Sequence, residues 1–173
     1  MKFDIHNLKN GIHTFEIITS RDALNLKDNE IFVNEIKVKN VIEKKDNNIF
    51  VNVHIETHAN YVCDKCLANF ENELLEDFAL LYKLERDLTK YYDHDYHEEE
   101  GVRFINPNSV EIDLTADVRE SLLLAIPMKV VCSEDCKGLC RTCGTNLNEE
   151  MCQCVQEEHD PRWEPLKKLL DER

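Results

Sequence analysis

Phe32-Val33-Asn34-Glu35-Ile36-Lys37-Val38-Lys39-Asn40-Val41 and, a few residues on, Ile49-Phe50-Val51-Asn52-Val53-His54-Ile55-Glu56 decide the fold. From residue 34 onward the first run alternates, with Ile36 and Val38 on one face and Lys37 and Lys39 on the other. In the second, Ile49, Val51, Val53 and Ile55 alternate with Phe50, Asn52, His54 and Glu56. A period of two is that of a strand with one buried face. Between the runs, Lys45-Asp46-Asn47-Asn48 supplies turn chemistry, because Asp and Asn tolerate a left-handed backbone. Together the two runs predict a long antiparallel hairpin.

Working outward, Ile12, Phe15, Ile17 and Ile18 form a short apolar stretch with imperfect alternation, so the first 60 residues read as β-structure. After the hairpin, Tyr61-Val62-Cys63-Asp64-Lys65-Cys66-Leu67 reads as a tight turn. Residues 69–85 carry Phe70, Leu74, Leu75, Phe78, Leu80, Leu81, Tyr82 and Leu84 in a pattern open to strand or helix. The meandering segments before them favour a strand. The polar, acidic stretch 86–101, with Tyr91 to Gly101 at its heart, predicts an insertion or long loop. Val110, Ile112 and Leu114 alternate as a short strand. Thr115 is placed to cap a helix through Ala125 whose apolar stripe is Val118, Leu122, Leu123 and Ile126, and Pro127 stops it. Asp160-Pro161 opens a final helix with Trp163, Leu166, Leu169 and Leu170 on one face.

At 173 residues and 42% hydrophobic, the chain suits one domain, alone or with a small metal-stapled appendix. No apolar run reaches the roughly 18 residues that cross a bilayer, and Met1-Lys2-Phe3-Asp4-Ile5-His6 lacks the apolar core of an export signal, which predicts a cytoplasmic protein without a membrane partner. The net charge is −14, shared as −1 over residues 1–60, −9 over 61–131 and −4 over 132–173. Such a surface repels phosphates and argues against non-specific nucleic-acid binding. It fits a basic protein partner better, and it also keeps a protein soluble.

Eight cysteines stand in two groups, Cys63 and Cys66, then Cys132, Cys136, Cys140, Cys143, Cys152 and Cys154. Clustered cysteines without an export signal read as metal ligands before disulfides. Zinc takes four tetrahedral ligands, and thiolates are its usual structural partners. Cys140-Arg141-Thr142-Cys143-Gly144 has the form of a zinc knuckle, with Gly144 free to adopt a positive φ. With Cys152 and Cys154 it makes the first-choice site. Cys63, Cys66, Cys132 and Cys136 remain for a second, and mixed sets such as Cys63, Cys66, Cys140 and Cys143 stay open. One or two structural zinc ions are expected. Buried free thiols, a redox dithiol and an iron–sulfur cluster are the competing readings.

Enzymatic signals are weak. His94 and His97 among Asp93, Asp95 and Glu98 have a spacing open to a divalent ion, but read more simply as a solvated acidic loop. Alternation puts His54, Glu56 and His58 on one exposed strand face. Neither a phosphate loop nor a nucleophile with a visible base occurs, and no small-molecule substrate is evident. The fold class expected is α+β: an antiparallel β-meander or barrel-like sheet, one or two helices, and a zinc-stapled Cys-rich C-terminal segment. Residues 1–127 form the β-rich core with the acidic insertion near 86–101, and 128–173 form the Cys-rich tail with its helix. The tail holds too few large apolar side chains to order by burial alone.

Cys63-Asp64-Lys65-Cys66-Leu67, Leu124-Ala125-Ile126-Pro127, the run from Cys132 through Cys136-Lys137-Gly138-Leu139-Cys140-Arg141-Thr142-Cys143-Gly144 to Asn148, and Asp160-Pro161-Arg162-Trp163-Glu164-Pro165-Leu166 follow in order along nearly the whole chain. In these motifs the sequence resembles the YceD family, described as large ribosomal RNA subunit accumulation proteins. Segment 86–101 matches none of them. The resemblance implies a role in producing or stabilising large-subunit rRNA in bacteria and plastids, and no established enzymatic activity. It leads to the expectation of a non-enzymatic ribosome-biogenesis factor supporting 23S rRNA accumulation. The factor would bind a ribosomal protein or a pre-50S assembly intermediate through its acidic sheet. The alternatives are direct rRNA contact by a basic face of Lys129, Lys137, Arg141, Arg162, Lys167 and Lys168, and a metal-dependent hydrolase.

Overall fold

The computed structural model of the chain describes residues 1–27, 29–86 and 101–154. Its elements are β1 (Lys2–Asp4), β2 (Gly11–Thr19), β3 (Ile36–Lys45), β4 (Asn48–Val62), β5 (Asn69–Leu84), β6 (Val102–Ile105), β7 (Glu111–Asp113) and α1 (Thr115–Leu124). They divide between two compact units. One comprises Met1–Tyr61 and Asn69–Lys129, and the other comprises Val62–Ala68 and the chain from Val130 onward.

The first unit is built on the expected hairpin. β3 and β4 pair antiparallel from Lys37↔Glu56 to Lys45↔Asn48. The two residues between them turn the chain, with Asp46 at φ 52°. Ile36, Val38 and Ile42 of β3 and Ile49, Val51, Val53 and Ile55 of β4 are at most 2% exposed. Each side chain so buried contributes about 1.5–3 kcal/mol over leaving it in water. Asn40 interrupts this apolar face: it is fully buried, and neither atom of its amide has a hydrogen-bond partner.

β2 pairs antiparallel with β3 from Gly11↔Lys44 to Thr19↔Ile36. Its alternation is imperfect because it is an edge strand. Ile12 and Ile18 are exposed, and Phe15 leans on Phe3 with ring centroids 5.4 Å apart. Residues 69–84, ambiguous in pattern, form strand β5. The sheet order is β2-β3-β4-β5-β6.

Two expectations fail here. β6 runs parallel to β5, from Leu81↔Val102 to Leu84↔Ile105, so the antiparallel meander ends at β5. Residues 87–100 of the acidic stretch, with His94, His97 and their acidic neighbours, lie outside the described residues. The sheet is also open, with β2 and β6 at its edges, so the barrel-like closure does not form among the described residues. β1 and β7 pair with each other as a separate two-stranded sheet, Phe3 opposite Ile112.

Residues 20–35 form neither strand nor helix among those described, yet Leu24, Leu26 and Phe32 fill the core. Helix α1 buries Val118 and Leu122, as its stripe predicted. Thr115 does not cap it. Leu114 holds the cap position without a side-chain bond, and the Thr115 hydroxyl donates to Asp113 Oδ1 at 2.5 Å. The bidentate Arg103 guanidinium joins β6 to Asp117 of α1, one of its bonds at 2.9 Å. Among the described residues no helix is long and apolar enough to cross a membrane. The final helix expected from Asp160 lies outside the described residues.

Candidate metal centre

The second unit opens with two loops of one design. In each CxxC, the first cysteine donates its N–H to the carbonyl five residues on: Cys63 to Ala68 at 2.9 Å and Cys140 to Thr145 at 2.8 Å. In each, the N–H four residues on returns to the first cysteine's carbonyl, from Leu67 and from Gly144, both at 2.9 Å. Leu67 (φ 60°) and Gly144 (φ 75°) occupy the same left-handed position. This geometry curls the backbone so that N–H groups of Lys65 and Cys66 point at the Cys63 sulfur, and those of Thr142 and Cys143 at the Cys140 sulfur.

The loop at 63–67 is fastened to the later segment residue by residue. The Asp64 N–H donates to the Val130 carbonyl at 2.9 Å, and the Asp64 carboxylate accepts the Val130 N–H at 2.6 Å. Lys65 Nζ donates to the Cys136 carbonyl at 3.2 Å, and the Leu139 N–H to the Lys65 carbonyl at 3.0 Å. Gly138, at φ +77°, lets the chains come this close, since a Cβ there would meet the Lys65 carbonyl at 3.0 Å.

These fastenings gather the thiols in two sets of four. Cys63, Cys66, Cys132 and Cys136 make one, and Cys140, Cys143, Cys152 and Cys154 the other; within each, all sulfurs lie within 4.8 Å of one another. The mixed set of Cys63, Cys66, Cys140 and Cys143 is not brought together. In the first set, the Cys63 and Cys136 sulfurs are 3.8 Å apart and those of Cys66 and Cys132 3.7 Å. Both distances far exceed a disulfide bond of about 2.05 Å. They equal the edge of a tetrahedron of thiolates about 2.3 Å from one central ion, which is about 3.8 Å. Thiolates that cap separate irons of a cluster stand farther apart, so the spacing suits a single ion.

Charge points the same way. Burial pushes the Cys63 thiol up, but the N–H groups of Cys132, Cys66 and Lys65 outweigh it and bring it down to about 6. The N–H groups of Cys143 and Thr142, followed by the Cys152 and Cys143 thiols, take Cys140 down to about 6 as well. Their neighbours move oppositely: Cys132 is pushed up to about 12, chiefly by Cys136, and Cys154 to about 12, chiefly by Cys143. Four thiols this close cannot all ionise without a cation between them. Further donors reach three of the sulfurs. The Cys132 N–H reaches Cys63 Sγ at 3.4 Å, Asn148 Nδ2 reaches Cys136 Sγ at 3.3 Å, and the Thr145 hydroxyl lies 3.2 Å from Cys143 Sγ. Asn148 and Thr145 were not singled out from sequence; their polar character in short loops beside cysteines was the available signal.

Burial adds a third argument. Cys63, Cys66, Cys136 and Cys140 are buried, and they are the only buried apolar side chains among the described residues of this unit. Its described residues form no aliphatic core, so a metal tie in that place fits the residues present. The donor sets are all sulfur and four-fold, which suits zinc in a closed structural site.

Other residues read from sequence fall elsewhere. His54 and His58 are exposed on β4, with Glu56 half-buried between them; His54 Nδ1 meets Asp77 Oδ1 at 2.5 Å and Glu56 accepts from Lys37 at 2.8 Å. Of the basic face, Lys137 and Arg141 are exposed in the second unit and Lys129 belongs to the first, while Arg162, Lys167 and Lys168 lie outside the described residues.

Residues 51–170 match the family model of the large ribosomal RNA subunit accumulation protein YceD. Among curated relatives, a chloroplastic large ribosomal RNA subunit accumulation protein YCED homolog 1 of Arabidopsis thaliana is 38% identical over 66 residues, 38% of this chain and 21% of that protein. Its Zea mays namesake is 47% identical over 45 residues, 25% of this chain and 15% of that protein. An uncharacterised Mycobacterium tuberculosis protein is 30% identical over 108 residues, 62% of this chain and 49% of that one. The chain thus spans less than half the length of each of these relatives. No solved structure matches it.

Proposed function

This chain belongs to the YceD family of large ribosomal RNA subunit accumulation proteins, and from that premise we propose that it is a non-enzymatic, cytoplasmic factor in assembly of the large ribosomal subunit. It supports accumulation of 23S rRNA by binding a basic ribosomal protein or a pre-50S intermediate. The observation that carries this reading is the family match over residues 51–170, a span that includes all eight cysteines.

Cys63, Cys66, Cys132 and Cys136 hold one zinc ion, and Cys140, Cys143, Cys152 and Cys154 a second. Four thiolates leave no open position for water or substrate, so the ions order the backbone and perform no chemistry. The N–H groups aimed at the sulfurs hold the thiolates in place. On β5, Glu71, Glu73 and Asp77 are exposed at alternate positions, and they supply the acidic face for a basic partner.

Two measurements test the reading. Deletion of the gene is expected to lower 23S rRNA relative to 16S, and the protein is expected to co-sediment with pre-50S particles. Normal 23S levels together with absence from every such fraction would end it. Binding of the purified chain to rRNA fragments with a steep salt dependence would replace the protein partner with RNA contact at residues such as Lys137 and Arg141.

A further inference from the structure

The first unit leaves one long strand edge open. β2 is nine residues long, Gly-Ile-His-Thr-Phe-Glu-Ile-Ile-Thr from Gly11 to Thr19, and β3 pairs with only one of its sides. Of the usual protections of an edge it has a single charge, Glu16, and neither Pro nor Lys. Ile12 and Ile18 are 69% and 65% exposed and lie on the same face of the sheet, because both are an even number of residues apart along the strand.

The sequence of this edge is complementary to itself. Two copies can meet antiparallel about a two-fold axis only in registers that pair residues of like facing, so the register changes in steps of two. Centred on Phe15, all nine residues pair: Ile12 with Ile18, Thr14 with Glu16, His13 with Ile17, and Phe15 with its own copy. One step in one direction sets Glu16 against Glu16, and one step in the other sets Ile12 against Glu16. Like charges opposite each other are unfavourable, and an apolar pair is favourable. The next strand continues the match. Ile18 lies beside Lys37 and Ile12 beside Glu43, so the row across both copies runs Lys37, Ile18, Ile12, Glu43, with opposite charges at its two ends.

We propose that two copies of this chain pair through β2, antiparallel about Phe15, and join their five-stranded sheets into one continuous sheet. The occupant is a second copy rather than a basic tail of another protein, because β3 places Lys37 and Lys39 just behind this edge. The claim is independent of the ribosomal role.

Sedimentation velocity on the full, metal-replete chain tests it. A dimer is expected at roughly 100 µM or below. A chain carrying both Ile12→Lys and Ile18→Lys puts lysine opposite lysine and is expected to dissociate at least roughly tenfold more readily. A chain carrying Ile12→Glu and Ile18→Glu fails in the same way. Mixing the two restores a dimer of one copy of each, which a merely misfolded variant cannot do. Circular dichroism of each variant confirms its β-signal. A monomeric wild type at every concentration overturns the proposal. So does a lysine variant that dimerises as well as wild type, or folded charge variants that fail to pair when mixed.

Discussion

Leu67 holds the left-handed position that Gly144 holds in the sister loop, and it does so with a side chain 64% exposed. An L-residue in that conformation costs roughly 1–2 kcal/mol, and glycine avoids the cost while losing roughly 0.5–1 kcal/mol in chain entropy. Leu67→Gly is therefore expected to stabilise the metal-bound protein by about 0.5–1 kcal/mol, read as a higher thermal midpoint; a lower midpoint would show that the exposed leucine is held by something else. Gly138 predicts the opposite. Its positive φ and the 3.0 Å approach to the Lys65 carbonyl leave no room for a Cβ, so Gly138→Ala is expected to cost about 2 kcal/mol. Asn40 is a third case: a buried amide without a partner carries a desolvation cost of about 1–3 kcal/mol. Asn40→Val removes the unpaired amide and introduces the β-branching that a central strand favours, and it is expected to raise stability to chemical denaturation by about 1 kcal/mol. Of these residues, only Gly144 was legible in sequence, because a glycine after CxxC announces its φ. The position of Leu67, four residues after Cys63 as Gly144 is after Cys140, was the signal for the other.

At the scale of elements, legibility followed burial. β3 and β4 alternate clearly because one face is core and the other solvent. β2 alternates poorly because its inner face, with His13, Ile17 and Thr19, is only half-buried while apolar Ile12 and Ile18 stand on the exposed one, and β6 is too short at four residues to carry a period. The cysteine loops were legible by count and spacing, since few arrangements satisfy eight thiols. Their difference in depth was not. The first set has three buried sulfurs, whereas in the second only Cys140 is buried and Cys143 is exposed. Release of zinc to a chelator is therefore expected in two phases of equal size, the faster from the Cys140 set. Cys132→Ser should lower the content from two zinc ions per chain to one and remove the slow phase, and Cys154→Ser should remove the fast one. Equal rates at both sets, or one ion per chain in the unmodified protein, would contradict the assignment. Acid acts in the same direction: protons compete for the thiolates, so zinc is retained at neutral pH and lost as the pH falls.

For the whole molecule, the sequence pattern led to an α+β chain with a β-rich part and a cysteine-rich part, and missed how the chain is shared between units. Val62–Ala68 sits between two strands of the sheet in sequence, yet it packs with the chain after Val130. Local periodicity cannot report such an exchange, because the partners of Asp64 and Lys65 lie more than sixty residues away. The parallel entry of β6 was hidden too, because the periodicity of four residues does not tell a parallel from an antiparallel neighbour. The two units also rest on different physics. The first is held by aliphatic burial, from Leu24 and Phe32 through Ile55 to Leu122, whereas the second buries only cysteines among its described apolar residues. Structural zinc supplies roughly 10 kcal/mol or more of folding free energy in small metal domains. Stripping the metal is therefore expected to unfold the second unit while the sheet of the first survives. In calorimetry, one transition should vanish with excess chelator while the other keeps its midpoint, and the β-signal in circular dichroism should largely persist. Amide exchange then locates the loss: Leu67, Leu139 and Gly144 become unprotected, while Val51 and Val53 stay protected. Protection at Leu139 and Gly144 in metal-free protein would mean that the thiol packing alone orders this unit, and the metal assignment would fall with it.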